Sequence, residues 1–224
     1  TGGTSGIGKM IAMGLLAAGS SVIITGRNAE NCEAVVDELS EFGECTFALA
    51  DLSHDDQLKR FADRVAQKAP RLSILVNNAG MSEHAPFGKY TGAQFDRVLQ
   101  LNLKAPFLLS QCLSGLLKSN ASQETPAHII NVSSIASMVA TAMDAFAYNP
   151  SKAALNMVTR NLSELLASDF VLVNAIAPGV FPSRMTANMI EEPTVADQLL
   201  KAIPIGRFGQ PKDIAALAVM IASS

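Results

Sequence analysis

Tyr148 and Lys152 stand four positions apart in the stretch Tyr148-Asn149-Pro150-Ser151-Lys152, so on a helix a phenol and an ammonium share one face. An ammonium beside a phenol favours the phenolate. A tyrosine of ordinary pKa near ~10 then becomes able to give or take a proton near neutral pH. The same spacing occurs on helices that carry only a half-buried Tyr and a solvated Lys, so its meaning depends on the rest of the chain. Pro150 lacks an amide donor and belongs in the first turn, which places the helix start near Phe146 and its end near Leu166.

Thr1-Gly2-Gly3-Thr4-Ser5-Gly6-Ile7-Gly8 opens a helical pattern that runs through Ile11, Leu15 and Leu16 to Gly19. Gly2 suits a tight bend, Gly6 lets the backbone approach a pyrophosphate, and Gly8 lets the helix pack closely on a sheet. The N–H groups of this stretch, those of Thr4, Ser5 and Ile7 among them, would face the phosphates. Such a turn also serves as a plain connector, and a strand on each side is what marks a dinucleotide site. Ser21–Thr25 is the β-branched strand that follows. The sequence offers none before it, so a doubly wound sheet is expected to lack its central first strand, the chain reading as a piece cut near the first glycine.

At the end of that strand Gly26-Arg27-Asn28 stands where a dinucleotide site reads the adenosine ribose. An acid there would accept from a free 2′-hydroxyl. Gly26 offers none, and Arg27 suits a 2′-phosphate, which favours NADP over NAD; the alternative is a solvated arginine in a loop. A helix over Ala29–Phe42 and a strand over Thr46–Ala50 lead to Asp51-Leu52, where Asp51 either accepts from an adenine amino group or caps the turn before Ser53. A helix over Asp55–Lys68 and a strand over Leu72–Val76 deliver Asn77-Asn78-Ala79-Gly80. The amides can tie strands together while Ala79 and Gly80 leave room for a flat cofactor, unless the stretch is a simple Asn/Gly turn.

Helices over Thr91–Leu101 and Leu103–Leu117 meet at Asn102, a polar residue in an apolar stretch that needs partners if buried. A strand over His128–Val132 delivers Ser133 and Ser134, and one over Phe170–Ile176 ends at Pro178-Gly179. The segment 180–203, with Pro182 and Pro193, lacks a firm period and reads as a mobile substrate-covering stretch. Asp213–Ser223 reads as an apolar closing helix.

One alternating β/α domain over residues 1–224 accounts for this pattern, an α/β doubly wound parallel sheet of Rossmann type. Hydrophobic residues make up 49% of the 224, charged residues 17%, and the net charge of −3 gives no footprint for nucleic acid or an anionic membrane. Cys32, Cys45 and Cys112 lack metal-ligand spacing and read as reduced thiols in a cytoplasmic protein, unless a targeting segment preceded Thr1. His54, His84 and His128 are equally scattered, so no metal site is expected. No apolar run is long enough to span a membrane.

In this order, Thr1-Gly2 with Gly6 and Gly8, Asp51, Asn77 to Gly80, Asn102, Ser134, Tyr148 with Lys152, and Pro178-Gly179 resemble the short-chain dehydrogenase/reductase family over nearly the whole chain. Residues 127–155 and 178–186 are most similar to its rhamnolipid-type 3-oxoacyl reductase subgroup. Ser134 lies 14 positions before Tyr148, in keeping with that subgroup, with Ser133 the alternative if the register differs. Members of the family run on into a further strand, so a C-terminal strand is expected to be missing as well. The resemblance implies an NADPH-dependent reductase turning a carbonyl, including that of a 3-oxoacyl thioester, into an alcohol. Tyr148 would donate the proton, Ser134 would hydrogen-bond the carbonyl oxygen, Lys152 would bind the nicotinamide ribose, and Asn102 would hold a water. Ser183 and Thr186 would contact the carboxamide or diphosphate. The resemblance also implies a homodimer or homotetramer. A non-catalytic NADP(H)-binding module is the competing reading.

Overall fold

The computed structural model describes residues 1–140 and 144–223. Along the chain run α1 (Gly6–Ala17), β1 (Val22–Gly26), α2 (Ala29–Leu39), β2 (Cys45–Leu49), α3 (Asp55–Lys68), β3 (Ile74–Asn77) and α4 (Gly92–Leu99). They are followed by α5 (Ala105–Ser119), β4 (Ala127–Val132), α6 (Tyr148–Leu166), β5 (Val171–Ile176), α7 (Ala187–Glu191), α8 (Pro193–Ala202) and α9 (Pro211–Ile221). Every described strand pairing is parallel: β1 with β2, and β4 between β3 and β5.

Neighbouring residues on β4 explain why its run is apolar without alternation. Ile129 packs with α3 and α5 through Leu58, Leu109 and Leu113, while Ile130 packs on the opposite face with α1 and α9 through Ile11 and Ile214. A sheet covered on both faces must be apolar at both phases of the pleat. Between β1 and β3, which share no hydrogen bonds, lies a cavity of about 590 Å³ lined by Ile24, Val76, Leu113 and neighbours. The Thr1 backbone nitrogen donates to the Val76 carbonyl at 2.6 Å beside it.

Several expected boundaries shift. The second helix ends at Leu39 and not Phe42, because Gly43 turns the chain at φ 154. The helices expected to break at Asn102 run on through a π-helical turn, Gln100–Lys104, which absorbs an extra residue. Helix α6 begins at Tyr148, two residues later than expected, with Pro150 inside its first turn. The segment 180–203 is the largest correction, since it holds the helices α7 and α8. Neither buries a residue, and Pro193 begins α8 instead of breaking it, with Val195 and Leu199 one helical turn apart behind it.

Candidate active site

The C-terminal ends of the strands gather the expected residues on one edge. Gly2 and Gly6 sit at φ 62 and 52, where a side chain is strained. A Cβ on Gly8 would come within 2.3 Å of both the Asn78 side-chain nitrogen and the Gly2 carbonyl, so α1 meets the loop at glycine distance. Thr1 does the joining: its Oγ1 accepts from the amides of Asn78 and Ala79, each at 3.0 Å, and Asn78 Nδ2 donates to the Thr1 and Gly2 carbonyls. No acid stands in the first turn of α1 and Ser5 makes no side-chain cap, so its leading amides remain available to an anion.

At the neighbouring strand ends, Arg27 is exposed and acts on Asp51 through its charge. Burial works against the Asp51 carboxylate, but two Ser53 hydrogen bonds, then His54 and Arg27, hold it below the usual carboxyl range. Its Oδ1 accepts from the Ser53 amide and hydroxyl, so the turn-capping reading has a structural basis. Ser53 itself does not cap α3, whose flanking residue is His54. Leu52 points into the core, leaving only its backbone to face a ligand. Ser183 lies against the glycine loop, its Cβ 3.0 Å from where a Gly6 Cβ would stand, and both its amide and its hydroxyl meet Thr186 Oγ1 at 3.0 Å. The Pro178 carbonyl accepts from Ile135, and Gly179 borders open space.

The register between the two serines is resolved by their partners. Ser133 is buried and donates to the Lys152 carbonyl at 3.2 Å. Ser134 is the hydrogen-bonding neighbour of the Tyr148 phenol. Its Oγ accepts from the Ala136 amide at 3.2 Å, which leaves its own proton to donate elsewhere. Lys152 is 5% exposed; its Nζ donates to the Val132 carbonyl at 2.7 Å and stands 5.8 Å from the Tyr148 ring centroid. Burial lowers the Lys152 pKa from 10.5 to about 8. Burial also raises the Tyr148 pKa, with Ser134 pulling it back, which corrects the expectation of a phenol lowered by Lys152. The ammonium is turned to a backbone carbonyl, and loss of solvation outweighs it.

Asn102 is fully buried, and its amide is satisfied: Oδ1 accepts from the Met81 amide at 2.8 Å, while Nδ2 donates to the Met81 carbonyl at 2.8 Å and to Ser151 Oγ at 3.1 Å. Ser151 donates in turn to the Tyr148 carbonyl at 2.6 Å. Asn102 thus clamps the Gly80–Met81 segment to the start of α6. Ser151 escaped the sequence reading; its signal was the three-residue step from Tyr148 on the same helix face. Asn102→Leu, of similar volume, is expected to lower the unfolding free energy by about 2–4 kcal/mol, because it leaves the Met81 amide and carbonyl without their partner and removes one bond from Ser151; urea titration measures this. A cluster of Phe87, Tyr90 and Phe146, with the ring centroid of Phe146 5.4 and 5.6 Å from the other two, was also missed, since Phe146 is distant from them in sequence. Residues 141–143, between Ser134 and α6, lie outside the described residues. Among the described residues no cluster of His, Cys, Asp or Glu could hold a metal ion, and no helix is long and apolar enough to cross a membrane.

A cradle for a dinucleotide opening onto a half-buried phenol with a second hydroxyl beside it defines a nucleotide-dependent oxidoreductase. The family model described as enoyl-(acyl carrier protein) reductase matches residues 2–224. The chain belongs to the short-chain dehydrogenase/reductase family. It is 43% identical, over all its 224 residues and 88% of the relative, to the rhamnolipids biosynthesis 3-oxoacyl-[acyl-carrier-protein] reductase of Pseudomonas aeruginosa. It is 33% identical to the 3-oxoacyl-[acyl-carrier-protein] reductase FabG of Aquifex aeolicus, again over its full length and 88% of that protein. A solved Pseudomonas aeruginosa RhlG/NADP active-site complex superposes with a TM-score of 0.96 at 43% identity, covering 100% of this chain and 87% of that one.

Proposed function

We propose that this chain is an NADPH-dependent reductase of 3-oxoacyl thioesters. The observation that carries the reading is the pairing of Ser134 with Tyr148 beside Lys152, on the same strand-end edge as the glycine loop. Two hydroxyls converging on one point suit a carbonyl oxygen, which accepts two hydrogen bonds, better than a carbon–carbon double bond, which accepts none. The residues present fit the cofactor: the positive-φ glycines give a cradle that a Cβ would fill, and no acid at the end of β1 opposes a 2′-phosphate.

A bound NADPH supplies the hydride. Tyr148, protonated because burial raises its pKa, donates its proton to the carbonyl oxygen as charge develops there. Ser134 donates a hydrogen bond to the same oxygen. Lys152, with a pKa near 8, is placed to hold the ribose and to return a proton to Tyr148. Asp51, Ala79, Gly80 and Ser183 would hold the cofactor along this edge. The segment carrying α7 and α8 covers the substrate.

Arg27→Ala is expected to weaken NADPH about 10- to 100-fold and NADH little, since one charge-assisted contact is lost only with the 2′-phosphate. Titration of cofactor fluorescence checks this, and equal losses for both cofactors would count against the role. Assembly is part of the same proposal. Met157 and Leu165 on α6 are 52% and 67% exposed and Phe107 on α5 is 41% exposed, an apolar face suited to a second copy of the chain. Light scattering after size exclusion is expected to give a dimer or tetramer, and Met157→Glu with Leu165→Glu to shift it towards monomer. The free thiols Cys32, Cys45 and Cys112 suit a reducing, cytoplasmic setting.

A further inference from the structure

Gly26 closes β1 at the position where a dinucleotide site reads the ribose, and its backbone gives no reason for a glycine. Its φ is not among the positive values, and it continues the parallel ladder opposite Leu49. Glycine inside a strand is unfavourable unless something approaches closely. Here two side chains do. A Cβ at position 26 would stand 2.8 Å from Cys32 Sγ and 2.8 Å from Thr4 Cγ2, with Thr4 Oγ1 at 3.5 Å. Separations of that size are not found for real Cβ atoms, so a side chain there requires something to move.

Neither neighbour has much room to give. Cys32 is fully buried within α2, its amide bonded to the Asn28 carbonyl. Thr4 is β-branched, stiff at χ1, and lies in the glycine loop that Thr1 and Asn78 fasten. The strand is held from the other side by the bond from the Ala50 amide to the Gly26 carbonyl. The contact joins the phosphate loop, the first strand and the second helix, all three at the adenosine end of the site.

We infer that Thr4 and Cys32 are specificity-determining residues for the cofactor, forming a wall that keeps an acidic side chain from position 26 and so excludes the 2′-hydroxyl reader that NAD would need. The inference rests on the NADPH reading above. Arg27 supplies the attraction for the 2′-phosphate, and the wall supplies the rejection of the alternative. Specificity built this way combines a favourable contact with a steric bar. Preference for NADH is therefore unattainable by substitution at position 26 alone.

The test compares Gly26→Asp in the natural chain with Gly26→Asp combined with Thr4→Ser and Cys32→Ala, which remove Cγ2 and Sγ. Dissociation constants for NADPH and NADH come from fluorescence titration, and thermal midpoints from the same samples. In the natural background, Gly26→Asp is expected to lower the midpoint and to weaken NADPH without tightening NADH. In the combined variant the midpoint recovers and NADH binds at least about tenfold more tightly than to Gly26→Asp alone. Tenfold tighter NADH binding by Gly26→Asp alone overturns the inference, as does a combined variant no better than the single one. If Gly26→Asp yields no soluble protein, Gly26→Ala decides through its thermal midpoint. Its loss must be at least halved in the Thr4→Ser, Cys32→Ala background, and an equal loss in both refutes the wall. A natural chain that binds neither cofactor would instead defeat the NADPH reading, leaving the Gly26→Ala comparison to judge the steric contact.

Discussion

Replacing Tyr148 by Phe is expected to lower the rate of carbonyl reduction by about a hundred- to ten-thousandfold while leaving NADPH affinity within a few-fold, the range general acid catalysis spans. The phenol is held in place by features that the substitution leaves alone. Its backbone is bonded to Ser151, its ring lies beside the Lys152 ammonium, and Ala147 before it is fully buried. Phe fills the same space, so the loss reports the hydroxyl. Steady-state kinetics paired with fluorescence titration separates the two quantities. Turnover within tenfold of the natural chain would remove Tyr148 from the proton-transfer step.

Lys152→Met is expected to cut turnover by at least about a hundredfold, as loss of a positioned electrostatic group does, yet to stabilise the fold near pH 7. Lys152 is held at about 8 against an ordinary 10.5, so keeping its charge inside the protein costs roughly 3 kcal/mol. Part of that gain is offset, because the Val132 carbonyl loses its donor. The sign follows from linkage. Between pH 8 and 10.5 the unfolded chain holds a proton that the folded chain has released, so stability rises with pH across that window and the penalty is full below it. In the Met variant this contribution to the slope is absent. Urea unfolding at several pH values, compared between the two chains, measures both effects. A Met variant less stable at pH 7 would mean that the ammonium contributes net stability.

The alternating β/α pattern and the Tyr148–Lys152 pair were legible because they depend on local pattern. Apolar runs such as Ile129-Ile130 mark strands buried on two faces, and the four-residue step from Tyr148 to Lys152 survives in any helix. What eluded the sequence depends on distance through space. Ser134 was preferred to Ser133 only by its resemblance-based spacing to Tyr148; the approach of the Lys152 carbonyl to Ser133 and of the Tyr148 phenol to Ser134 is what separates them in space. Thr1 fastens the glycine loop to Asn78 across 77 positions. Helix α8 was obscured by Pro193, which reads as a break in the sequence but begins the helix in the fold. The charge effect of Lys152 on Tyr148 was anticipated with the wrong outcome. The burial of both groups, which dominates, is a property of the folded molecule alone.

The most direct test of the proposed reaction is absorbance at 340 nm with NADPH and a 3-oxoacyl thioester series of increasing chain length, with the product identified by mass. Loss of absorbance matched one-for-one by 3-hydroxyacyl thioester is expected. Tight NADPH binding by fluorescence with no consumption across the series would contradict it.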